Sequence, residues 1–175
     1  HLLKDGGRAG IVLPDGTLFG EGVKTRIKEK LLNDCNLHTI VRLPNGVFNP
    51  YTGIKTNLLF FTKGEPTKDI WYYEHPYPPG VKSYNKTKPM RIEEFEPEKK
   101  WWNKRKENEF AWKVTSEQIK ASNYNLDIKN PNAVGPENGD PEKLLKDYNK
   151  LISDIAETRN SLKKELMDAL GGIGA

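Results

Sequence analysis

Apolar positions are distributed along this chain in three regimes. Residues 9–14 (AGIVLP) form a short, continuous apolar run with β-branched members. Gly6-Gly7-Arg8 precedes it and the turn Pro14-Asp15-Gly16 ends it, which predicts a strand buried on both faces. From residue 22 to 33, Val23, Ile27 and Leu31 recur at helical spacing among Lys and Glu, so an amphipathic helix is expected next. Residues 38–43 (HTIVRL) and 56–62 (TNLLFFT) read as a second and a third strand. Strand, helix and strand in this order imply a parallel pair with a right-handed crossover. The loop before the third strand is longer than a simple connection needs, which suggests function.

After Gly64-Glu65-Pro66 the second regime begins. Residues 69–74 (DIWYYE) predict an edge strand, which His75-Pro76-Tyr77-Pro78-Pro79-Gly80 must break. Residues 84–113 mix charges with aromatics without a period and are expected to be irregular. Thr115 or Ser116 caps a short helix reaching Ala121. Residues 131–141 (PNAVGPENGDP) read as a linker, and Asp140-Pro141-Glu142 as a helix start. In the third regime Leu144, Tyr148, Leu151, Ile155, Leu162 and Leu166 keep an alternating three-and-four spacing, interrupted at Thr158 or Arg159, until Gly171-Gly172. A helix of roughly 30 residues reaches about 45 Å, more than a small domain needs, and its stripe wants a cover. The expected division is strands and crossover helix over 1–80, an aromatic and basic region with one short helix over 81–130, a linker over 131–141, and a docking helix over 142–170.

Composition narrows the classes. At 35% hydrophobic and a mean hydropathy of −0.75 the chain is polar for its 175 residues, as expected of long exposed segments beside a compact part. It lacks both a long apolar run and a secretory signal pattern, so no membrane contact is expected, and a soluble, cytoplasmic protein is. It opens on His1 rather than Met, which leaves open an engineered piece, a processed chain or a proteolytic fragment. Cys35, the single cysteine, excludes an internal disulfide and a Cys-based zinc site and suits a reducing compartment. His1, His38 and His75 lack metal-ligand spacing, so no metal is implied. The excess of 28 Lys+Arg over 24 Asp+Glu, +4 in all, permits contact with a polyanion without demanding it.

No catalytic residue is nominated by these patterns. Gly6-Gly7-Arg8-Ala9-Gly10 lies before a strand instead of after one, and Gly20-Glu21-Gly22-Val23-Lys24-Thr25 lacks the order of a phosphate loop. No nucleophile elbow exists, and the carboxylates mostly accompany lysines. The cluster Lys99-Lys100-Trp101-Trp102-Asn103-Lys104-Arg105-Lys106 supports two readings. Lys99, Lys100, Lys104 and Arg105 attract phosphates while the indoles stack on bases, or the tryptophans bury and the cations stay hydrated.

Three separated phrases carry a resemblance: residues 7–19 (GRAGIVLPDGTLF), residues 43–61 (LPNGVFNPYTGIKTNLLFF) and residues 123–130 (NYNLDIKN). In this order they resemble the C-terminal portion of the methylation subunit of type I restriction-modification systems. Members of that family are adenine-specific DNA methyltransferases. The resemblance implies an α/β fold: the C-terminal part of a Rossmann-like class I methyltransferase sheet, then an irregular region and a long C-terminal helix. It implies S-adenosylmethionine as methyl donor in the full subunit, double-stranded DNA as substrate, and specificity and restriction subunits as partners.

In that family the donor-binding glycines and the Asn-Pro-Pro-Phe or Asn-Pro-Pro-Tyr loop precede the Gly-Gly-Arg-Ala-Gly phrase. Asn49-Pro50-Tyr51 therefore resembles the catalytic signature without being it, and this piece alone is expected to be inactive. The same resemblance makes Phe48 the ring that packs on an extruded adenine, with Tyr51 second, whereas Lys55, Thr56 and Asn57 receive no chemical role. Leu144, Tyr148, Leu151, Ile155 and Leu162 would dock on a partner subunit or fold back on their own domain. A partial sheet with an open edge also predicts self-association. The alternative is a non-enzymatic nucleic-acid-binding or scaffold module.

Overall fold

The computed structural model describes residues 3–132 and 141–171, with side chains described for 3–132 and 145–167. The chain divides into two units, His1–Ala133 and Val134–Ala175. In the first, strands β1 (Arg8–Pro14), β2 (Cys35–Arg42), β3 (Thr56–Lys63), β4 (Asp69–Glu74) and β5 (Ala111–Thr115) join one mixed sheet in the order β1-β3-β2-β4-β5. Between them lie a single helical turn α1 (Asp15–Leu18), helix α2 (Val23–Asp34), helix α3 (Glu96–Trp102) entered through a 3-10 turn (Ile92–Phe95), and helix α4 (Ser116–Ala121). Thr115 caps α4 reciprocally with Gln118, whose side chain accepts from the Thr115 N–H at 2.9 Å.

The sheet is mixed α/β as expected, but its connections differ from the pattern-based reading. β1 and β2 are not neighbours: β3 lies between them and runs antiparallel to both. β1 is also not buried on both faces, since Ile11 and Val12 remain 44% and 48% exposed and only one edge of the strand is paired among the described residues. β4 is interior, parallel to β2 and antiparallel to β5. β5 comes from the stretch expected to be irregular, and it escapes a period-2 reading because Ala111 and Trp112 are adjacent and both buried. The sheet therefore continues through the division expected at residue 80.

Both faces of the central strands are covered. On one face Ile40 sits opposite Leu59 and Tyr72, beneath Leu32 of α2 and Ile119 of α4. On the other, Val41 sits opposite Leu58 and Tyr73, beneath Trp101 of α3. α2 forms where its periodicity predicts, but it buries a different side. Val23 and Ile27 are 72% and 63% exposed, whereas Lys28 and Leu32 face inward. The Lys28 ammonium donates to the carbonyls of Leu18 and Gly20 at 2.8 and 2.9 Å, which satisfies the open end of α1. Burial, followed by the Lys24 charge, holds the Lys28 pKa below its ordinary value.

Three distant stretches close on a buried arginine. The Arg42 guanidinium lies 2.7 Å from Asp127 Oδ1 and 3.6 Å from Asp15 Oδ1, and it donates to the Ile128 carbonyl at 3.0 Å. Asn57, the register partner of Arg42 on β3, donates to the same Asp15 oxygen at 3.0 Å. Residues 123–128 are thereby held on the sheet; Leu126 donates to the Leu18 carbonyl at 3.0 Å and accepts from the Tyr72 hydroxyl at 3.1 Å. Asp15, Asn57 and Asp127 belong one to each of the three phrases that carry the resemblance. Asn57, which sequence left without a role, is thus part of this junction. The neighbouring Lys55 and Thr56 carbonyls accept from Asp15 and Leu43 at 2.9 and 3.0 Å.

The second unit is described through one helix, α5 (Pro141–Gly171). Its polar interruption does not break it, and the Thr158 hydroxyl is satisfied by donating back to the Asp154 carbonyl at 2.8 Å. Among the described residues no helix is long and apolar enough to cross a membrane. The expected linker falls mostly on residues 133–140, outside the described residues, as does the side chain of Leu144.

Removing the Arg42 cation would leave the partly buried Asp127 and Asp15 carboxylates without their counter-charge. Arg42→Ala is expected to lower the unfolding free energy by about 3–5 kcal/mol, read as a shift of the urea midpoint. Combined with Asp127→Ala, it should cost clearly less than the sum of the single losses. Additive losses would show that the two groups are not coupled.

Candidate functional site

The loop between β2 and β3 lies beyond the carboxyl ends of β2 and β4, the side on which open α/β sheets bind ligands. Both its feet are tied by the Leu43 and Lys55 contacts, and its crest is braced from below. Gly46 has φ +79°, and a Cβ there would sit 2.7 Å from Asn49 Nδ2 and 3.0 Å from the Tyr84 carbonyl. Only glycine fits that corner. Asn49 Nδ2 donates to the same Tyr84 carbonyl at 3.0 Å, and the Tyr77 hydroxyl donates to the Asn45 carbonyl at 2.9 Å.

A turn then presents two rings. The N–H groups of Tyr51 and Thr52 donate to the Phe48 carbonyl at 2.9 and 3.2 Å. Phe48 is 39% exposed and Tyr51 93%. A ring left almost fully in water costs apolar hydration that a folded chain ordinarily avoids, yet the loop carrying it is anchored at both feet and at its crest.

The brace is itself buried and polar. Tyr84 donates its hydroxyl to the Glu94 carboxylate; burial, then that bond, raises the Tyr84 pKa above the usual tyrosine range. Nearby, the His75 ring and Glu98 are buried in direct contact, and the His75 backbone N–H donates to the Arg42 carbonyl at 2.9 Å. The loop's support thus runs back to the strand that carries the arginine junction. Periodicity carries no signal for these side chains, because isolated polar residues in an aperiodic stretch come together only when the chain folds back.

The basic-aromatic cluster is divided by the fold. Trp101 is buried and donates its indole N–H to the Lys106 carbonyl at 2.8 Å. Trp102 packs edge-on against Phe60, with ring centres 5.0 Å apart. Arg105 lies over the Trp102 ring at 4.7 Å and donates to the His38 carbonyl at 3.2 Å. Lys99, Lys100 and Lys104 are exposed, and Lys99 pairs with Glu96 at 2.7 Å. The rings face the protein, and three lysines face water. Beside α3 an apolar cleft of about 510 Å³ opens between Phe60, Phe95 and Trp102.

On α5 Tyr148, Leu151, Ile155 and Leu162, expected either to dock or to fold back, are all exposed, at 60–66%. Leu145 and Ile152, which the sequence reading omitted, widen the same stripe.

Comparison with known proteins places this geometry. The family model described as N-6 DNA methylase matches residues 1–140. The chain belongs to that family. It is 60% identical over 179 residues to the type I restriction enzyme EcoEI methylase subunit of Escherichia coli, covering 98% of this chain and 36% of that protein. A crystal structure from Vibrio vulnificus YJ016, assigned as the modification subunit of a type I restriction enzyme, matches with a TM-score of 0.70 at 52% identity, over 76% of this chain and 29% of that one. A structure from work on complex assembly and conformational transition of the type I restriction-modification system matches with a TM-score of 0.71 at 36% identity, over 94% and 37%. The chain therefore spans about a third of the length of these N-6 DNA methylase relatives.

His38 gives this region a pH response. Burial, then the Arg105 charge, holds its pKa below the ordinary 6.5. Protonation is thus harder in the folded chain than in the unfolded one. The unfolded state takes up the proton first, so stability is complete above 6.5 and falls as pH drops through that value toward the depressed folded one. The urea midpoint should fall between about pH 7.5 and about pH 5.5, and His38→Asn should flatten that dependence relative to the parent. An unchanged slope would show that His38 titrates alike in both states.

Proposed function

We propose that this chain is the C-terminal portion of the methylation subunit of a type I restriction-modification enzyme. The enzyme transfers a methyl group from S-adenosylmethionine to the exocyclic N6 amine of adenine in double-stranded DNA. This portion contributes one wall of the target-base pocket and the helix that docks on the specificity subunit, in a complex completed by the restriction subunit. The observation that carries the reading is the braced loop with two exposed aromatic rings at the carboxyl side of a methylase-family sheet. Phe48 packs on the extruded adenine, and Tyr51 stands beside it. Stacking of a base on an aromatic ring is worth about 1–3 kcal/mol, which offsets part of the few kcal/mol that unstacking costs.

The residues described here do not fit the methyl donor. The turn between β1 and α2 points its carbonyls at lysines: Gly16 accepts from Lys24 at 3.0 Å, and Leu18 and Gly20 accept from Lys28. A sulfonium cation would meet two ammonium groups there, and the nearby Asp15 carboxylate is already engaged by Arg42 and Asn57. The donor is held by parts of the subunit beyond this sequence, and the isolated chain is inactive. The open edge of β1, flanked by the exposed Ile11, Val12, Val23 and Ile27, is where the rest of the sheet joins, and in the isolated chain it promotes self-association. Lys99, Lys100 and Lys104 add weak phosphate contacts, and Arg105 mainly secures α3. A purely nucleic-acid-binding module is less favoured, because its indoles are occupied in packing. The enzyme works in the cytoplasm, where buried Cys35, its thiol pKa pushed up by burial, stays reduced.

In the assembled complex, with 2-aminopurine at the target adenine, Phe48→Ala should reduce the flipping signal by roughly 10-fold. Donor affinity, measured by calorimetry, should not change. Equal fluorescence from mutant and parent would remove Phe48 from the pocket. Micromolar donor binding by residues 1–175 alone would overturn the division of labour.

A further inference from the structure

The stripe on α5 contains one residue that the docking reading leaves unexplained. Leu145, Tyr148, Ile152 and Ile155 follow one another at alternating three- and four-residue steps, and after a gap of seven Leu162 and Leu166 resume them, each residue 49–66% exposed. The same cadence, continued from Ile155 to Leu162, passes through Arg159. The cation therefore occupies the middle of the apolar side, between two hydrophobic neighbours. Helical neighbours three and four positions away are Ile155, Ala156, Leu162 and Lys163, so no carboxylate stands one turn from Arg159 on α5. A shallow groove on the helix, lined by Leu151, Asp154, Ile155, Thr158, Arg159 and Leu162, surrounds it.

Any surface that covers this stripe covers Arg159 as well. A guanidinium taken out of water without a counter-charge is strongly unfavourable. Leucine or isoleucine at that position would have served a purely apolar contact better. A second copy of the helix in parallel register would bring two guanidinium groups together, so self-pairing of that kind is disfavoured by charge. An apolar stripe by itself also tolerates sliding by one heptad, because the pattern repeats; a single buried polar position removes that freedom.

We propose that Arg159 is a register pin, and that the partner surface covering α5 is apolar except for one Asp or Glu carboxylate at the level of Arg159. The proposal rests on the reading of α5 as the docking helix for the specificity subunit. The pair sets the axial position of the helix and discriminates against apolar surfaces that lack the carboxylate.

The test uses the full methylation subunit and the specificity subunit, with affinity measured by calorimetry and folding of each variant checked by circular dichroism. Arg159→Glu should weaken binding by about 100-fold, and Arg159→Leu by about 10-fold, because the leucine leaves the partner's carboxylate buried without its counter-charge. Reversing one acidic residue of the specificity subunit to Lys should restore binding to Arg159→Glu. Ile155→Asp should dissociate the complex whatever the pin does. If it does so while Arg159→Leu binds as tightly as the parent, or while Arg159→Glu is unharmed, the pin is wrong and the docking reading stands. If Ile155→Asp binds normally, both are wrong.

Discussion

Much of the first unit is arranged around one buried guanidinium. Arg42 ends the strand at the middle of the sheet, and its 2.7 Å approach to Asp127 draws the 123–128 segment against the sheet. The same group, through Asp15 and Asn57, ties the end of β1 to the start of β3. A buried ion pair of this kind contributes modestly to net stability, since desolvation offsets most of its attraction. Its larger effect is on specificity. Only one arrangement of these three stretches satisfies all the charges, and the loop between β2 and β3 springs from that arrangement.

The loop inherits its rigidity from what lies beneath it. Asn49 and Asn45 are held by residues 77–84, and Tyr84 is in turn held by Glu94. Conformational entropy that a free loop would lose on binding a ligand has largely been removed during folding. Phe48 and Tyr51 are accordingly presented to solvent on a fixed base. That is the condition under which a ring stabilises an extruded base without first having to be ordered itself.

The apolar surface of the first unit is divided between covered and uncovered parts. The middle strands are covered on both faces, whereas β1 and the outer side of α2 leave Ile11, Val12, Val23 and Ile27 in water. Under the proposed function this surface, with the β1 edge left unpaired among the described residues, is where further strands join. The chain spans 36% of the length of the EcoEI subunit.

The sequence by itself determined the local elements that depend on nearby residues. The β2 and β3 strands, α2, the Thr115 cap of α4 and the long α5 were legible from period, capping and turn residues, because those signals act within a few positions along the chain. The three phrases of the resemblance were legible too, though not the reason they occur together. Tertiary structure alone decided that β3 inserts between β1 and β2, that β4 is interior, and that α2 turns Lys28 and Leu32 inward in place of Val23 and Ile27. It alone joined Asp15, Arg42, Asn57 and Asp127. Strand order, burial and buried charge pairing depend on residues up to a hundred positions apart, and the energies that select them exist only once those residues share a desolvated space.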